Sequence, residues 1–169
     1  RITMKIKIKT FAGFGNQKIF LFLKKIEFNL IYTNINYIKS ISEHLKAKAY
    51  WIIASHNDEI IGLFPYLVKS GPFGCVFNSM PYYGSNGGII NKKNNKVVKN
   101  ILYEKFLSNA IDNDAISATI ITNPLKNDYL FYDELNNYSH KDERISLVTK
   151  LFPNDNEETI IKRYSNPRP

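Results

Sequence analysis

An α/β fold built on a mixed β-sheet is what this sequence predicts, and three observations carry the expectation. The chain opens on a period-two run, and two helical stripes then precede a pair of β-rich runs joined by a short polar turn. A longer helical stripe followed by a β-branched run comes next. The full order reads one strand, two helices, three strands, a helix, a strand, a helix and a strand. No repeat at a fixed short period is present, which sets solenoids and propellers aside.

Met4, Ile6 and Ile8 alternate with Lys5, Lys7 and Lys9, the pattern of a strand with one wet face. Over residues 16–28, Ile19, Phe20, Leu23 and Ile26 recur at helical spacing after the turn that Gly13 and Gly15 supply. Asn34 or Asn36 caps a second helix with Tyr37, Ile38, Ile41 and Leu45 on one face, ending near residues 46–48. Runs 50–55 and 60–69 flank His56-Asn57-Asp58-Glu59 and read as a hairpin. The second run is apolar on both sides, with Ile61, Leu63 and Leu67 on one and Ile60, Phe64, Tyr66 and Val68 on the other. It is therefore expected to be central, and Pro65 then requires a bulge or a local opening of the sheet. Residues 74–78 form a short strand and 81–88 a glycine- and tyrosine-rich loop. Val97, Ile101, Leu102, Phe106 and Ala110 mark a helix, and residues 115–122 a strand ended by Asn123-Pro124. A short helix over 129–135, a last strand over 144–151 and a capped helix over 154–163 complete the reading.

Length and composition fit one domain with a sizeable core: 169 residues, 44% hydrophobic and 22% charged. The longest purely apolar run, residues 19–23, falls far short of the roughly 20 residues that cross a bilayer, so no transmembrane segment is expected. No secretory leader is read at the start. A single cysteine, Cys75, excludes an internal disulfide framework and fits a reducing compartment, so a cytoplasmic location is expected. The net charge of +8 favours anionic partners, although the lysines are scattered more than clustered.

The segment from Asn78 to Gly88, NSMPYYGSNGG, concentrates chemistry: phenols and amides sit among three glycines, where a backbone can approach a ligand closely. A tight loop whose aromatics cap the core has the same composition. No glycine run has the spacing of a dinucleotide or Walker-type phosphate loop. His44, His56 and His140 are dispersed, so no metal site is expected. Cys75 reads as an inert strand thiol, and no serine stands in a nucleophile elbow. Asp142 and Arg144 either orient each other and grip an anion or form a solvated ion pair.

Read together, YWIIASHNDEIIGLFPYLVKS, FNSMPYYGSNGGII, ATIITNP and DERISLVTKL resemble the Fem-type peptidoglycan bridge aminoacyltransferases and their relatives in surface-polysaccharide clusters. The shared features are I-x-G-x-x-P at Ile60 to Pro65, S-x-P leading to a glycine pair at Ser79 to Gly88, T-N-P at Thr122 to Pro124 and D-x-R-I at Asp142 to Ile145. The resemblance covers roughly Tyr32 to Pro169. It implies a GNAT-like lobe, with residues 1–169 as the amino-terminal one of two, and a second GNAT-like lobe as partner in a longer chain.

It further implies transfer of an acyl group to an amine of a nucleotide-linked or lipid-linked envelope precursor, with aminoacyl-tRNA or acyl-coenzyme A as donor. The [RQ]-x-x-G-x-[GA] run that holds acyl-coenzyme pyrophosphate in ordinary GNAT enzymes is missing, so this lobe is expected to bind no cofactor. The substrate-facing candidates are Asn78, Tyr82, Tyr83, Asn86, Gly87 and Gly88, with Arg144 as a phosphate partner. No general base is named. A stand-alone N-acetyltransferase using acyl-coenzyme A and a non-catalytic basic RNA-binding module are the alternatives.

Overall fold

The structure, a computed structural model, describes residues 5–27, 30–80, 86–92, 94–143, 145 and 152–164. It contains two units, residues 1–137 and 138–169. The first runs β1 (Lys7–Ala12), α1 (Gln17–Leu23), a 3-10 turn (Ile31–Thr33), α2 (Ile35–Leu45), β2 (Lys48–His56) and β3 (Glu59–Gly71). It continues through β4 (Gly74–Asn78), β5 (Ile90–Asn91), α3 (Lys96–Ile111), β6 (Ala115–Thr119) and α4 (Tyr129–Leu135). The second contains α5 (Glu157–Tyr164), preceded by a reciprocal cap in which Asn156 Oδ1 accepts from Thr159 N and Thr159 Oγ1 accepts from Asn156 N. The expected strand over 144–151 lies outside the described residues, apart from Ile145.

The strands form one sheet in the order β1-β2-β3-β4-β6, with β5 also on β3. All pairings are antiparallel except β4 with β6. The expected mixed sheet is present, and β3 is central. Its hairpin with β2 is tighter than four loop residues would make it: His56 already pairs with Glu59, and Asn57 and Asp58 both take positive φ, 48° and 62°. That is the two-residue turn whose twist matches the flanking strands, and Asn and Asp tolerate it.

Both faces of the sheet are covered. Ile52, Ala54, Phe64, Tyr66 and Phe77 pack with Val98, Leu102 and Phe106 of α3 and Phe131 of α4. Ala49, Trp51, Leu63 and Leu67 pack with Ile19, Phe22 and Leu23 of α1 and Ile38 of α2. Asn16, Asn34 and Asn95 cap α1, α2 and α3, each side chain accepting a backbone N–H of the first turn.

The helix faces differ in detail from the expected ones. Phe20 is exposed with the Lys24 ammonium 4.6 Å from its ring, and Phe22 is buried in its place. In α3 the buried stripe is Val98, Leu102, Phe106 and Ala110, while Val97 is exposed. Residues 97–103 offer two neighbouring apolar stripes, and packing of Val98, Leu102 and Phe106 against Ile52, Phe64 and Tyr66 of the sheet decides which one turns inward. Lys99 and Tyr103 share the buried side because each polar end finds a partner: Asp128 Oδ1 at 2.6 Å for Lys99 Nζ, and the Asn137 carbonyl at 3.1 Å for the Tyr103 hydroxyl.

Ile60 and Ile61 exchange faces relative to expectation. Ala54 pairs with Gly62 but Ser55 with Ile60, so Ile61 is an extra residue in β3 and the alternation flips there. Ile61 packs with Phe64 and Tyr66, and Ile60 with Leu63 and Leu67. The bulge is thus at Ile61. At Pro65 the register with β2 is unbroken, and the sheet opens instead on the opposite side.

Burial leaves an alkaline signature. Tyr66 is pushed up to about 12 from 10 by burial, which outweighs the Asn109 amide donating to its oxygen. Burial likewise raises Tyr103 and Tyr132. A phenol raised on folding stabilises fully below its unfolded pKa of 10, and that contribution drains as pH rises from 10 towards 12. Tyr66 alone withdraws up to about 1.4 kcal/mol per pH unit in that window. Urea melts followed by Trp51, the single tryptophan, should show midpoints flat from pH 8 to 9.5 and falling above 10.

Candidate functional site

The glycine-pair segment is extruded from the sheet. Asn78 of β4 pairs with Leu67 of β3 and Ile90 of β5 with Leu63. Four steps along β3 therefore face twelve along the opposite chain, which leaves the pairing with β3 after Asn78 and rejoins it at Ile90. Proline lacks the N–H that a second neighbour would require, so the opening falls where β3 is least able to pair. Of the expected contact residues, Asn78, Asn86, Gly87 and Gly88 belong to the described structure. Tyr82, Tyr83 and Arg144 lie outside the described residues.

The two limbs of the segment are stitched to the end of β6. Ser79 N donates to Thr119 O at 2.9 Å, and fully buried Ser79 Oγ accepts from Ile121 N at 2.9 Å. Gly87 N donates to Ile121 O at 2.7 Å. Ser79 and Gly87 thus continue the pairing past the last residues of parallel β4 and β6. Ligands in open α/β sheets lie beyond the carboxyl ends of parallel strands. Ser79→Ala would leave the part-buried Ile121 N–H without its acceptor, costing about 1 kcal/mol. Faster hydrogen exchange at Ile121 than at Ala118 would accompany the loss.

The limbs are packed against each other tightly. A Cβ on Gly87 would stand 2.1 Å from Ser79 O and 2.9 Å from Met80 Cγ. Met80 is buried at φ 73°, a conformation that a bulky side chain adopts only when its surroundings impose it. Gly88 has φ +86° and lies under the Tyr132 hydroxyl, which would sit 3.2 Å from an added Cβ. The Ile89 amide hydrogen-bonds that phenol oxygen. Helix α4 therefore holds the glycine pair through Tyr132, and the Lys99–Asp128 pair fixes the start of α4 to α3.

Beside this limb is a small cleft with room for little more than one water, about 10 Å³. Leu30 and Thr33 from the α1–α2 connection line it, with Asn86 and Gly87 from the extruded segment and Asn123 and Lys126 after β6. Three stretches distant in sequence thus meet, and two of them, the glycine pair and the T-N-P end of β6, are motifs singled out above. The α1–α2 stretch and Lys126 were missed, since nothing in their local pattern points to a ligand. Asn78 pairs with Leu67 and Thr119 in the sheet, and its buried Oδ1 accepts no hydrogen bond.

The start of α3 offers no open phosphate cradle. Asn95 Oδ1 takes Val97 N at 2.9 Å and Val98 N at 3.3 Å, and Asn91 Nδ2 closes the preceding turn on Asn95 O at 3.1 Å. Among the described residues, no group of three His, Cys, Asp or Glu is placed to hold a metal, and no helix is long and apolar enough to cross a membrane. Cys75 donates to Asn113 O at 3.2 Å.

No family model and no curated protein matches the sequence. Solved structures do match the fold. A ribosomal-protein-alanine N-acetyltransferase from Brucella melitensis biovar Abortus 2308 is 13% identical with a TM-score of 0.53, the match covering 87% of this chain and 100% of that one. An aminoglycoside acetyltransferase from an uncultured soil metagenomic sample, in complex with sisomicin, is 10% identical with a TM-score of 0.56, over 87% of this chain and 97% of that one. A Trypanosoma brucei acetyltransferase is 9% identical with a TM-score of 0.55, over 85% and 100%. The fold of this chain is that of the GNAT acetyltransferases, the mixed, mostly antiparallel sheet flanked by helices that its element order predicts.

Proposed function

We propose that this chain is the substrate-binding lobe of an acyltransferase that acylates an amine on an anionic cell-envelope or surface-polysaccharide precursor, nucleotide-linked or lipid-linked. The observation that carries the reading is the extruded segment. It replaces a continuous strand on β3 beside Pro65 with a segment stitched to the end of β6, whose Asn86 and Gly87 line a small cleft. Two of the Fem-type motifs, the one ending in the glycine pair and T-N-P, supply residues that line the cleft.

The reaction is aminolysis. The deprotonated amine attacks the acyl carbon of an ester or thioester, a tetrahedral oxyanion forms, and the departing alkoxide or thiolate takes up the proton the amine gives away. Alignment and hydrogen bonding to the oxyanion supply much of such a rate, so no covalent enzyme intermediate is needed. In this reading the lobe forms the acceptor-facing wall, with Asn78, Tyr82, Tyr83, Asn86, Gly87 and Gly88 as contacts and Arg144 as phosphate partner. A second GNAT-like lobe completes the site, tRNA delivers the donor, and the setting is cytoplasmic.

Binding of no acyl-coenzyme A by this lobe is supported by the closed start of α3, whose first free amides, the natural anion donors of a helix, are spent on Asn95. Calorimetry of the 169-residue chain with acetyl-coenzyme A should therefore give no binding heat. Its full-length parent should transfer acyl groups from aminoacyl-tRNA to a nucleotide-linked muramyl peptide. Absence of transfer to any such acceptor from any donor would sink the reading. A second reading, an N-acetyltransferase acting alone with acyl-coenzyme A, is favoured by one observation: the chain spans 97–100% of the single acetyltransferase chains described above. Micromolar acetyl-coenzyme A binding would select it.

A further inference from the structure

Helix α1 turns an apolar centre rimmed by lysines away from the core, and we propose that this outer face is the patch by which the chain lies on an anionic bilayer surface. On its inner side Ile19, Phe22 and Leu23 are buried. On the opposite side Phe20 and Leu21 are 43% and 48% exposed, and Lys18, Lys24 and Lys25 are exposed around them. Residues three and four apart share a helix face, so Lys24 and Lys25 stand one turn beyond Phe20 and Leu21. Ile31, in the connection that follows, is 67% exposed as well. Apolar groups bordered by cations are the composition that settles at the boundary between headgroups and acyl chains.

The neighbouring helix shows that packing does not require such a face. Helix α2 covers the same side of the sheet through Ile38, yet its exposed positions include Asn36, Lys39, Ser40 and Glu43, and Lys39 lies 4.0 Å from Glu43. That is an ordinary surface for a helix in water. On α1 the charges are one-sided. Among the described residues Lys18, Lys24 and Lys25 form no ion pair, and residues 17–27 contain one acid, Glu27. Lys92 adds a fourth ammonium, 5.9 Å from the Phe22 ring, and it too has no carboxylate partner among the described residues.

Charge complementarity selects the occupant. Anionic headgroups attract each lysine held near them, and the contributions add. Lys24 Nζ lies 4.6 Å from the Phe20 ring, so its flexible stem lifts the charge into the headgroups while the ring enters below them. A nucleic-acid backbone would answer the lysines and leave Leu21 in water, whereas a bilayer answers both. The stretch after α1 also supplies Ile26, Leu30 and Thr33 to the cleft beside Gly87, so the patch adjoins that wall in sequence. Resting on the acyltransferase reading, this favours the lipid-linked acceptor over the nucleotide-linked one. The patch itself stands on the residues of α1.

The test is sedimentation of the intact 169-residue chain with vesicles of phosphatidylcholine alone and of phosphatidylcholine with an equal part of phosphatidylglycerol. Binding about tenfold tighter to the anionic vesicles is expected, falling to the neutral level in about 1 M salt, where the screening length is about 3 Å. Phe20→Ser with Leu21→Ser should weaken it about tenfold, as should Lys24→Gln with Lys25→Gln. Unchanged emission from Trp51, buried in the core, would report an intact fold in each variant. Lys7→Gln with Lys39→Gln removes as much charge from β1 and α2 and should change binding less than about twofold. Equal binding to both vesicles, equal losses for the two lysine pairs, or indifference to the Phe20 and Leu21 changes would each overturn the patch. Tighter binding to a homopolymeric RNA, lost with the same α1 lysines, would overturn it too. Vesicle binding without acyl transfer by the parent would overturn the functional reading and leave the patch standing. Transfer with no vesicle binding would do the reverse.

Discussion

Gly87→Ala should lower stability by about 3 kcal/mol or more, the upper end of what overpacking costs. The added methyl would stand 2.1 Å from Ser79 O and 2.9 Å from Met80 Cγ. The first of these is backbone, which cannot swing aside as a side-chain end does. Relief requires the two limbs to part, and parting breaks the bonds from Gly87 N to Ile121 O and from Ile121 N to Ser79 Oγ. A drop in melting temperature of roughly 6–12 °C is expected at this domain size. Gly71→Ala is the control, because a Cβ there meets nothing nearer than 3.9 Å and should cost well under 1 kcal/mol. Equal melting temperatures for the two variants would show that the limbs are not packed as described.

Lys99→Met should be comparably severe. Lys99 and Asp128 form a 2.6 Å ion pair whose side chains are only 7% and 15% exposed, and the Lys99 ammonium also lies 5.4 Å from the Phe131 ring. Methionine keeps the length and the packing but strands a carboxylate that has little access to water. Breaking one partner of a buried pair costs about 3–5 kcal/mol, whereas replacing both with apolar residues is often neutral. The double variant Lys99→Met with Asp128→Leu should therefore recover most of the loss. No recovery would mean that the pair matters through its shape and not its charge. The effect should also reach the site, because α4 carries Tyr132 and Tyr132 holds the Ile89 amide. Hydrogen exchange at Ile89 should quicken in Lys99→Met before global unfolding does.

Much of the fold was legible because short-range chemistry decides it. Residues 74–78 and 129–135 were bounded as observed, and the β2–β3 hairpin followed from two β-rich runs around a polar turn. Asparagine before an apolar stripe marked the start of α2, since its side chain caps local amides whatever surrounds it. Where two stripes were equally apolar, as at Val97 and Val98 or Phe20 and Phe22, local pattern had nothing to choose with. The exchange of Ile60 and Ile61 has the same origin, for a bulge depends on the partner strand.

The site divides along the same line. By itself the sequence singled out residues 78–88 through their glycines, phenols and amides, and read Asn123-Pro124 as the end of a strand. Only the tertiary structure decided that these stretches meet, that Ser79 is a staple, and that Lys126 and the α1–α2 connection complete one cleft. The reason is physical: a hydrogen bond between residues 42 apart, such as Ile121 N to Ser79 Oγ, exists only once the parallel crossover through α3 has brought β6 beside β4.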